Sequence, residues 1–352
     1  MDQIMHGKII TQYHRNQQYT TIFNQNTGLF IRKEDKNVQE PFWAEDGPEL
    51  LDVSITTYCE RECPFCYRKS NREGYHISLD DLKKIVSQAK EIGVLQIAIG
   101  GGNPNQHPDF IEILRYIRDN GIVPSYTTNG EGLSDEILEA TKMYCGAMAI
   151  SVYAPYNESA YLELVNRAKY FGVKVNLHII LTTDSICQII KWLKNPPQFF
   201  YNSNAIIFLN YKNVGGDLDL SIRDATLWKE FFYAVEHSSN LTIGFDSCTV
   251  PGIVSYMEGI SPSLIEPCEA GRFSAFISED LEVFPCSFLA NTDCGISLRN
   301  HTLLDIWKNA DLFISMRERV RENNCKNCVH EYLCHGGCHF FPINNCLRNY
   351  TP

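Results

Sequence analysis

The chain has 352 residues, 44% of them hydrophobic and 21% charged, with a net charge of −11. That composition describes an ordinary globular protein, long enough for one large core and a smaller satellite domain. The acidic balance argues against nucleic acid as the main partner, and no run of about eighteen apolar residues offers a membrane span.

The N-terminus, MDQIMHGKIITQYHRNQQ, lacks the apolar core of a secretory signal, so a cytoplasmic location is expected. Without export, the 14 cysteines read as metal ligands and not as a disulfide framework.

Residues 1–48 contain one hairpin-like stretch, QYTTIFNQNTGLFIRKED, with Asn26 to Gly28 as its turn. From residue 50 to about residue 246, strand-like and helix-like runs alternate. The strand LLDVSITT is followed by the helix SLDDLKKIVSQAKEIG, whose Ser78 serves as N-cap with Asp81 three residues on, a variant of the capping box. Leu82, Ile85, Val86, Ala89 and Ile92 recur there at helical spacing, and Gly93 ends the run. The strand VLQIAIGG, the helix HPDFIEILRYIRDNG, the strand VPSYTTNG and the helix SDEILEATKMY come next. The series continues with AMAISVY, ESAYLELVNRAKYFG, VKVNLHIIL, a short helix over 186–193, and AIIFLNY. Six or so such units predict a parallel sheet built from βα repeats, which places its chemistry at the carboxyl ends of the strands.

The sharpest local signal is CERECPFC, just after the first strand of that series, with Cys59, Cys63 and Cys66 spaced C-x3-C-x2-C. Three thiolates in so short a loop leave a four-iron four-sulfur cubane with one iron that has no protein ligand. The competing readings are a zinc site, which three cysteines close poorly without a nearby fourth donor, and scattered core thiols. Arg61, Arg68, Lys69 and Arg72 gather beside the loop and could offset thiolate charge. Gly100, Gly101, Gly102, Asn103 and Pro104 follow the second strand, Thr127 to Gly130 follow the third, and Ser151 lies in the fourth.

The CERECPFC motif, with Phe65 before its last cysteine, resembles the radical S-adenosylmethionine (radical SAM) superfamily. The resemblance implies an α/β partial (β/α)6 TIM-like barrel in which the open iron chelates SAM. It further implies that Gly101, Gly102, Asn103 and Pro104 form the turn facing the methionine amino group, with Asn103 where an acidic residue is common. Ser151 and Asn129 are the further polar candidates for SAM contact. His178 reads as a satisfied barrel histidine and not as a contact.

Eight cysteines crowd the end of the chain, including CKNCVHEYLCHGGC. Together with CEAGRFSAFISEDLEVFPC this resembles the SPASM extension of radical SAM proteins, which implies two auxiliary four-iron four-sulfur clusters and three in all. By that resemblance Cys325, Cys328, Cys334 and Cys346 hold one auxiliary cluster, and Cys268, Cys286 and Cys338 hold the other. For the latter's fourth ligand Cys294 and Cys248 are both candidates, as is an open iron, and a zinc-ribbon tail is the competing reading. Leu281 stands where the family usually has glycine, so this hairpin is expected to turn differently. Cys145 and Cys187 fall in helix-like runs and read as small buried hydrophobes.

The expected organisation is an N-terminal hairpin segment over 1–48, a radical SAM partial barrel over 49–250 and a cysteine-rich domain over 251–352. The resemblance implies a peptide-modifying oxidoreductase that installs a thioether, a carbon–carbon crosslink or another oxidative change on a ribosomally made precursor peptide. It would be served by an external flavodoxin or ferredoxin-type electron donor and by a separate leader-binding protein, with the N-terminal segment helping to bind the peptide or merely capping the barrel. The alternatives are a sulfatase-type maturase oxidising one Cys or Ser, a small-molecule dehydrogenase, and a zinc-bound interaction module. Tyr153, Asp217 and Asp246 are polar barrel-end residues with equal claims to act as a base.

Overall fold

The computed structural model describes residues 2–6, 9–35, 41–215, 218–323, 325 and 327–349. Asp217 therefore lies outside the described residues. The chain opens with β1 (Asp2–His6), β2 (Ile9–His14), β3 (Tyr19–Asn24) and β4 (Phe30–Glu34), which pair in order as one antiparallel sheet. The expected hairpin is β3 with β4; Asn24 Oδ1 accepts from the amides of Asn26 and Thr27 at 3.0 and 3.2 Å, and Gly28 takes φ +76°. The other two strands are additions to that expectation. On β2 the buried face carries Ile10, Gln12 and His14, and two polar residues on an inward face hide the apolar alternation of a strand.

This sheet covers the amino-terminal end of the barrel. Ile10 and Phe23 pack with Leu95 and Val123, at the starts of two barrel strands, and Gln12 Nε2 donates to the Gly93 carbonyl at 2.9 Å. Arg32 ties it to the rest of the chain, reaching Glu49 at 2.7 Å and Glu269 at 2.6 Å.

The barrel strands are β5 (Leu50–Thr56), β6 (Gln96–Gly101), β7 (Val123–Thr128), β8 (Met148–Val152), β9 (Val175–Leu181), β10 (Ala205–Asn210) and the short β11 (Ile243–Phe245). They are parallel and neighbour one another in chain order, so the α/β partial barrel is present as expected, with β11 as an extra strand after the six expected ones. The strands β5 to β10 alternate with α1 (Leu79–Glu91), α2 (Phe110–Asp119), α3 (Asp135–Tyr144), α4 (Glu158–Tyr170), α5 (Ile186–Lys194) and α6 (Gln198–Asn202), and α7 (Ala225–Glu236) precedes β11. In α1 the Asp81 amide donates to Ser78 Oγ at 3.1 Å, Leu82, Ile85, Val86 and Ala89 are buried, and Gly93 follows with φ +80°.

The sheet does not stop at β5. On its free side β12 (Ser274–Ile277) pairs parallel to β5, and β13 (Glu282–Phe284) and β14 (Ile296–Ser297) add antiparallel strands, so ten strands form one open sheet among the described residues. In the turn between β12 and β13 Leu281 adopts φ +68°, the left-handed conformation that glycine favours. Its side chain is only 2% exposed and joins the main core, which offsets the backbone strain. Cys145 caps α3 and packs against the core, whereas Cys187 is exposed and is no buried hydrophobe. Among the described residues no helix is long and apolar enough to cross a membrane.

Candidate active site

A cavity of about 520 Å³ opens at the carboxyl ends of the barrel strands. One wall is the loop after β5. There the Cys59 amide donates to the Asn71 carbonyl at 2.9 Å and the Cys66 amide to the Cys63 carbonyl at 3.0 Å, which folds the loop back so that its three cysteines line the cavity. Burial pushes the Cys63 thiol up, Arg61 opposes this, and Cys66 and Cys59 add to it, so the three thiols sit within electrostatic reach of one another. Asn129 Nδ2 donates to Cys59 Sγ at 3.6 Å. The loop is anchored from behind by Arg68, which is buried and pairs with both oxygens of Glu279 at 2.7 and 2.8 Å. Of the basic group flagged in the sequence, only Arg61 stands at the cavity; Lys69 and Arg72 are exposed.

The second wall is the end of β6. A Cβ on Gly101 would lie 2.1 Å from the Thr56 carbonyl oxygen, and one on Gly102 would lie 2.0 Å from that of Tyr58, so only glycine lets this turn press against the cysteine loop. Gly100 meets nothing within 4 Å and leaves its side of the cavity open. Phe65, Gly101, Gly102, Asn129 and Ser151 all line the space. Asn103 and Pro104 do not. Asn103 is 1% exposed, its amide oxygen accepts from Thr128 Oγ1 at 3.0 Å and the Asn129 amide at 3.2 Å, and its Nδ2 donates to the Glu131 carbonyl at 2.9 Å. It braces the loop after β7 from beneath. His178 reaches the cavity from β9, and burial lowers its pKa to about 4, so the ring is neutral.

A further stretch of wall comes from the C-terminal half: Asn210, Tyr211, Lys212 and Asp246, together with Phe276, the neighbour of Asp52 on β12, and Phe288, whose ring lies 5.0 Å from that of Tyr67 in the cysteine loop. Asp52, on β5, also faces inward, and burial together with Glu269 raises its pKa to about 6. Sequence reasoning missed Asp52 and Lys212. A lone acid in the apolar run LLDVSIT was a usable signal for the former; nothing local marks Lys212.

Behind this wall the remaining thiols fall into two neighbourhoods. Burial raises Cys334 to about 12, and Cys346, Cys325 and Cys328 add to the shift. Burial raises Cys268 to about 11, with Cys338 adding to it, and Cys286 is raised by burial, Cys268 and Cys338. Cys294 differs in burial: it is exposed, and its sulfur shares a hydrogen bond of 2.9 Å with Thr292 Oγ1.

Among the described residues no three His, Cys, Asp or Glu side chains meet the geometry of a single metal ion. A tetrahedral zinc requires every donor about 2.3 Å or less from one centre, whereas a four-iron cluster takes each thiolate on a different iron.

A partial βα barrel whose strand ends bring a three-thiol loop to a cavity, backed by a thiol-rich extension, is the architecture of an iron–sulfur enzyme. Residues 53–194 match the radical SAM superfamily and residues 268–329 match SPASM, an iron–sulfur cluster-binding domain, so the two matches together cover more than half of the chain. The chain belongs to the radical SAM superfamily and carries a SPASM extension. It is 24% identical over 315 residues to the mycofactocin maturase MftC of Mycobacterium tuberculosis, covering 83% of this chain and 78% of that protein. An AdoMet-dependent heme synthase of Methanosarcina barkeri is 23% identical over 326 residues, 83% of this chain and 91% of that one. In fold the chain is similar to Streptococcus suis SuiB bound to its precursor peptide SuiA, with TM-score 0.75, 17% identity and 96% of each chain covered.

Proposed function

We propose that this enzyme binds three four-iron four-sulfur clusters and SAM, and oxidatively modifies a ribosomally made precursor peptide, most simply by forming a thioether or carbon–carbon crosslink. The observation that carries the reading is a single cavity lined both by the Cys59/Cys63/Cys66 loop and by residues of the C-terminal segment. A peptide side chain entering its mouth would meet both. Similarity to a maturase and the shared fold of SuiB, a protein seen with a precursor peptide, support the peptide as substrate.

In this reading Cys59, Cys63 and Cys66 hold the SAM-binding cluster. Bound there, cluster and SAM supply a 5′-deoxyadenosyl radical, formed with methionine on one-electron reduction, that removes hydrogen from a C–H bond. Arg61 balances thiolate charge beside Cys63. Gly100, Gly101 and Gly102 give the methionine end access to backbone, and Ser151 and Asn129 offer it polar contacts. Asn103 acts as a positioning residue through the loop it braces, with Pro104 next to it starting the short turn over 104–106. Phe65, Tyr153, Phe276 and Phe288 line the cavity with aromatic surface that keeps water from it.

Division into segments 1–48, 49–250 and 251–352, action in the cytoplasm and an external flavodoxin or ferredoxin-type donor belong to the same proposal. The N-terminal sheet packs on the barrel end opposite the cavity, which supports a capping role and leaves leader recognition to a separate protein.

The test is iron and acid-labile sulfide per chain after anaerobic reconstitution, with 5′-deoxyadenosine release assayed alongside. About twelve irons falling to about eight when Cys59, Cys63 and Cys66 are together replaced by Ala, with release abolished, is the expected result. Retained SAM cleavage would defeat the assignment, and about four irons with zinc in the tail would remove the auxiliary clusters. Similarity to the heme synthase favours a second reading, a small-molecule substrate in the same cavity. Deoxyadenosine release stimulated by such a molecule and not by peptide would select it.

A further inference from the structure

We propose that Cys248 is the fourth thiolate of the first auxiliary cluster, completing a closed set with Cys268, Cys286 and Cys338, and that Lys212 is its buried counter-charge. The inference rests on the reading above that the C-terminal segment binds clusters, and it names a ligand well upstream of that segment.

Cys248 sits in the tight turn Ser247–Thr249, directly after β11. Its thiol is within electrostatic reach of those of Cys268 and Cys286, and both of these are within reach of Cys338. The turn is built to hold it there. The Cys248 carbonyl accepts from Asn345 Nδ2 at 3.2 Å and from Asn210 Nδ2 at 3.4 Å, and both asparagines are buried. Asn210 Nδ2 also donates to Asn344 Oδ1 at 2.9 Å, which joins the end of β10 to the stretch leading into Cys346. Asp246 closes the turn, accepting from Thr249 Oγ1 at 2.6 Å and from the Asn210 amide at 3.1 Å.

Lys212 supplies the independent observation. It is 4% exposed, and its Nζ has no hydrogen-bond partner. A buried ammonium left unpaired is expensive. Its charge reaches Asp246 and Cys248, and Asp246 already accepts the bonds that close the turn. Four thiolates around an iron–sulfur core carry net negative charge, which is what an unpaired lysine beside Cys248 needs. Cys294 is exposed and bonded to Thr292, so it lacks the burial of Cys248. A closed set leaves no iron there for a substrate thiolate, so the open iron is confined to the Cys59 loop.

The experiment uses the full chain with Cys59, Cys63 and Cys66 replaced by Ala, so that only the tail clusters report. After anaerobic reconstitution and dithionite reduction, its EPR spectrum and iron content are compared with those of further variants. Cys248→Ala should alter or abolish one cluster signal, with iron down by up to about four, while Cys294→Ala leaves the spectrum unchanged. Added 2-mercaptoethanol should shift the signal of Cys248→Ala and not that of the parent. Lys212→Met should keep its iron but move one cluster midpoint to more negative potential, because loss of a nearby positive charge disfavours the added electron.

Iron and spectrum unchanged in Cys248→Ala, or a parent signal that itself responds to added thiol, would overturn the ligand assignment. An unmoved midpoint in Lys212→Met would overturn the counter-charge. If Cys248→Ala fails to fold, the thiol response of the parent and the Lys212→Met midpoint still decide. A parent without iron would sink the cluster reading of the tail itself, which separates that failure from this one.

Discussion

His178 enters the cavity from β9 with Thr127 Oγ1 3.5 Å from its Nδ1, and its pKa is lowered from 6.5 to about 4 by burial alone. A histidine held neutral in the fold protonates first in the unfolded chain. Its contribution to stability is therefore full above pH 6.5 and is lost as pH falls toward 4. Thermal unfolding without SAM should show a steeper fall across that window in the native chain than in His178→Gln; parallel curves would mean the ring is hydrated. Leu281 makes the opposite bargain, holding φ +68° while burying its side chain. Glycine there would relieve roughly 1 kcal/mol of left-handed strain but forfeit about 2–5 kcal/mol of core packing. Leu281→Gly should thus be net destabilised by ~1–4 kcal/mol in denaturant titration, and a stabilised variant would show that the turn governs.

Between elements, the decisive joints are buried ion pairs. Arg68 links the cysteine loop to the turn between β12 and β13, and Arg32 links β4 to Glu49 and Glu269. A buried pair adds little net stability when complete, but removing one partner strands a charge at about 3–5 kcal/mol. Glu279→Leu should therefore be strongly destabilised, and Arg68→Met/Glu279→Leu less so than the sum of its single changes. Proteolysis of the loop over 57–76 should rise in Glu279→Leu before global unfolding does. Additive losses in the double-variant cycle would show that the two side chains are not coupled.

At the scale of the molecule, the thiol groupings should separate chemically. Replacing Cys325 and Cys328 with Ser should lower iron by about one cluster, on the order of four irons, while deoxyadenosine release persists at a reduced level. Unchanged iron would mean that the division of ligands in the tail is wrong. The sheet argues for coupling in the other direction: β12 hydrogen-bonds to β5, so damage to the C-terminal segment reaches the strand that carries the cysteine loop.

What the sequence by itself determined is whatever a short stretch of chain decides. The C-x3-C-x2-C loop, the Ser78 cap with its buried stripe over α1, and the order of strands and helices rest on spacing, capping and periodicity, which act within a few residues. Only the tertiary structure decided which distant groups meet. Three residues show it: Asn103 turns to Thr128 and Glu131, the charge of Lys212 reaches Cys248, and Asp52 lines one cavity with Phe276, its neighbour on β12, and Phe288. Leu281 belongs with them, because the core that offsets its strain is assembled from elements far away in the chain. Burial and charge depend on neighbours in space, and pairing β12 with β5 across more than two hundred residues is not written in any local pattern.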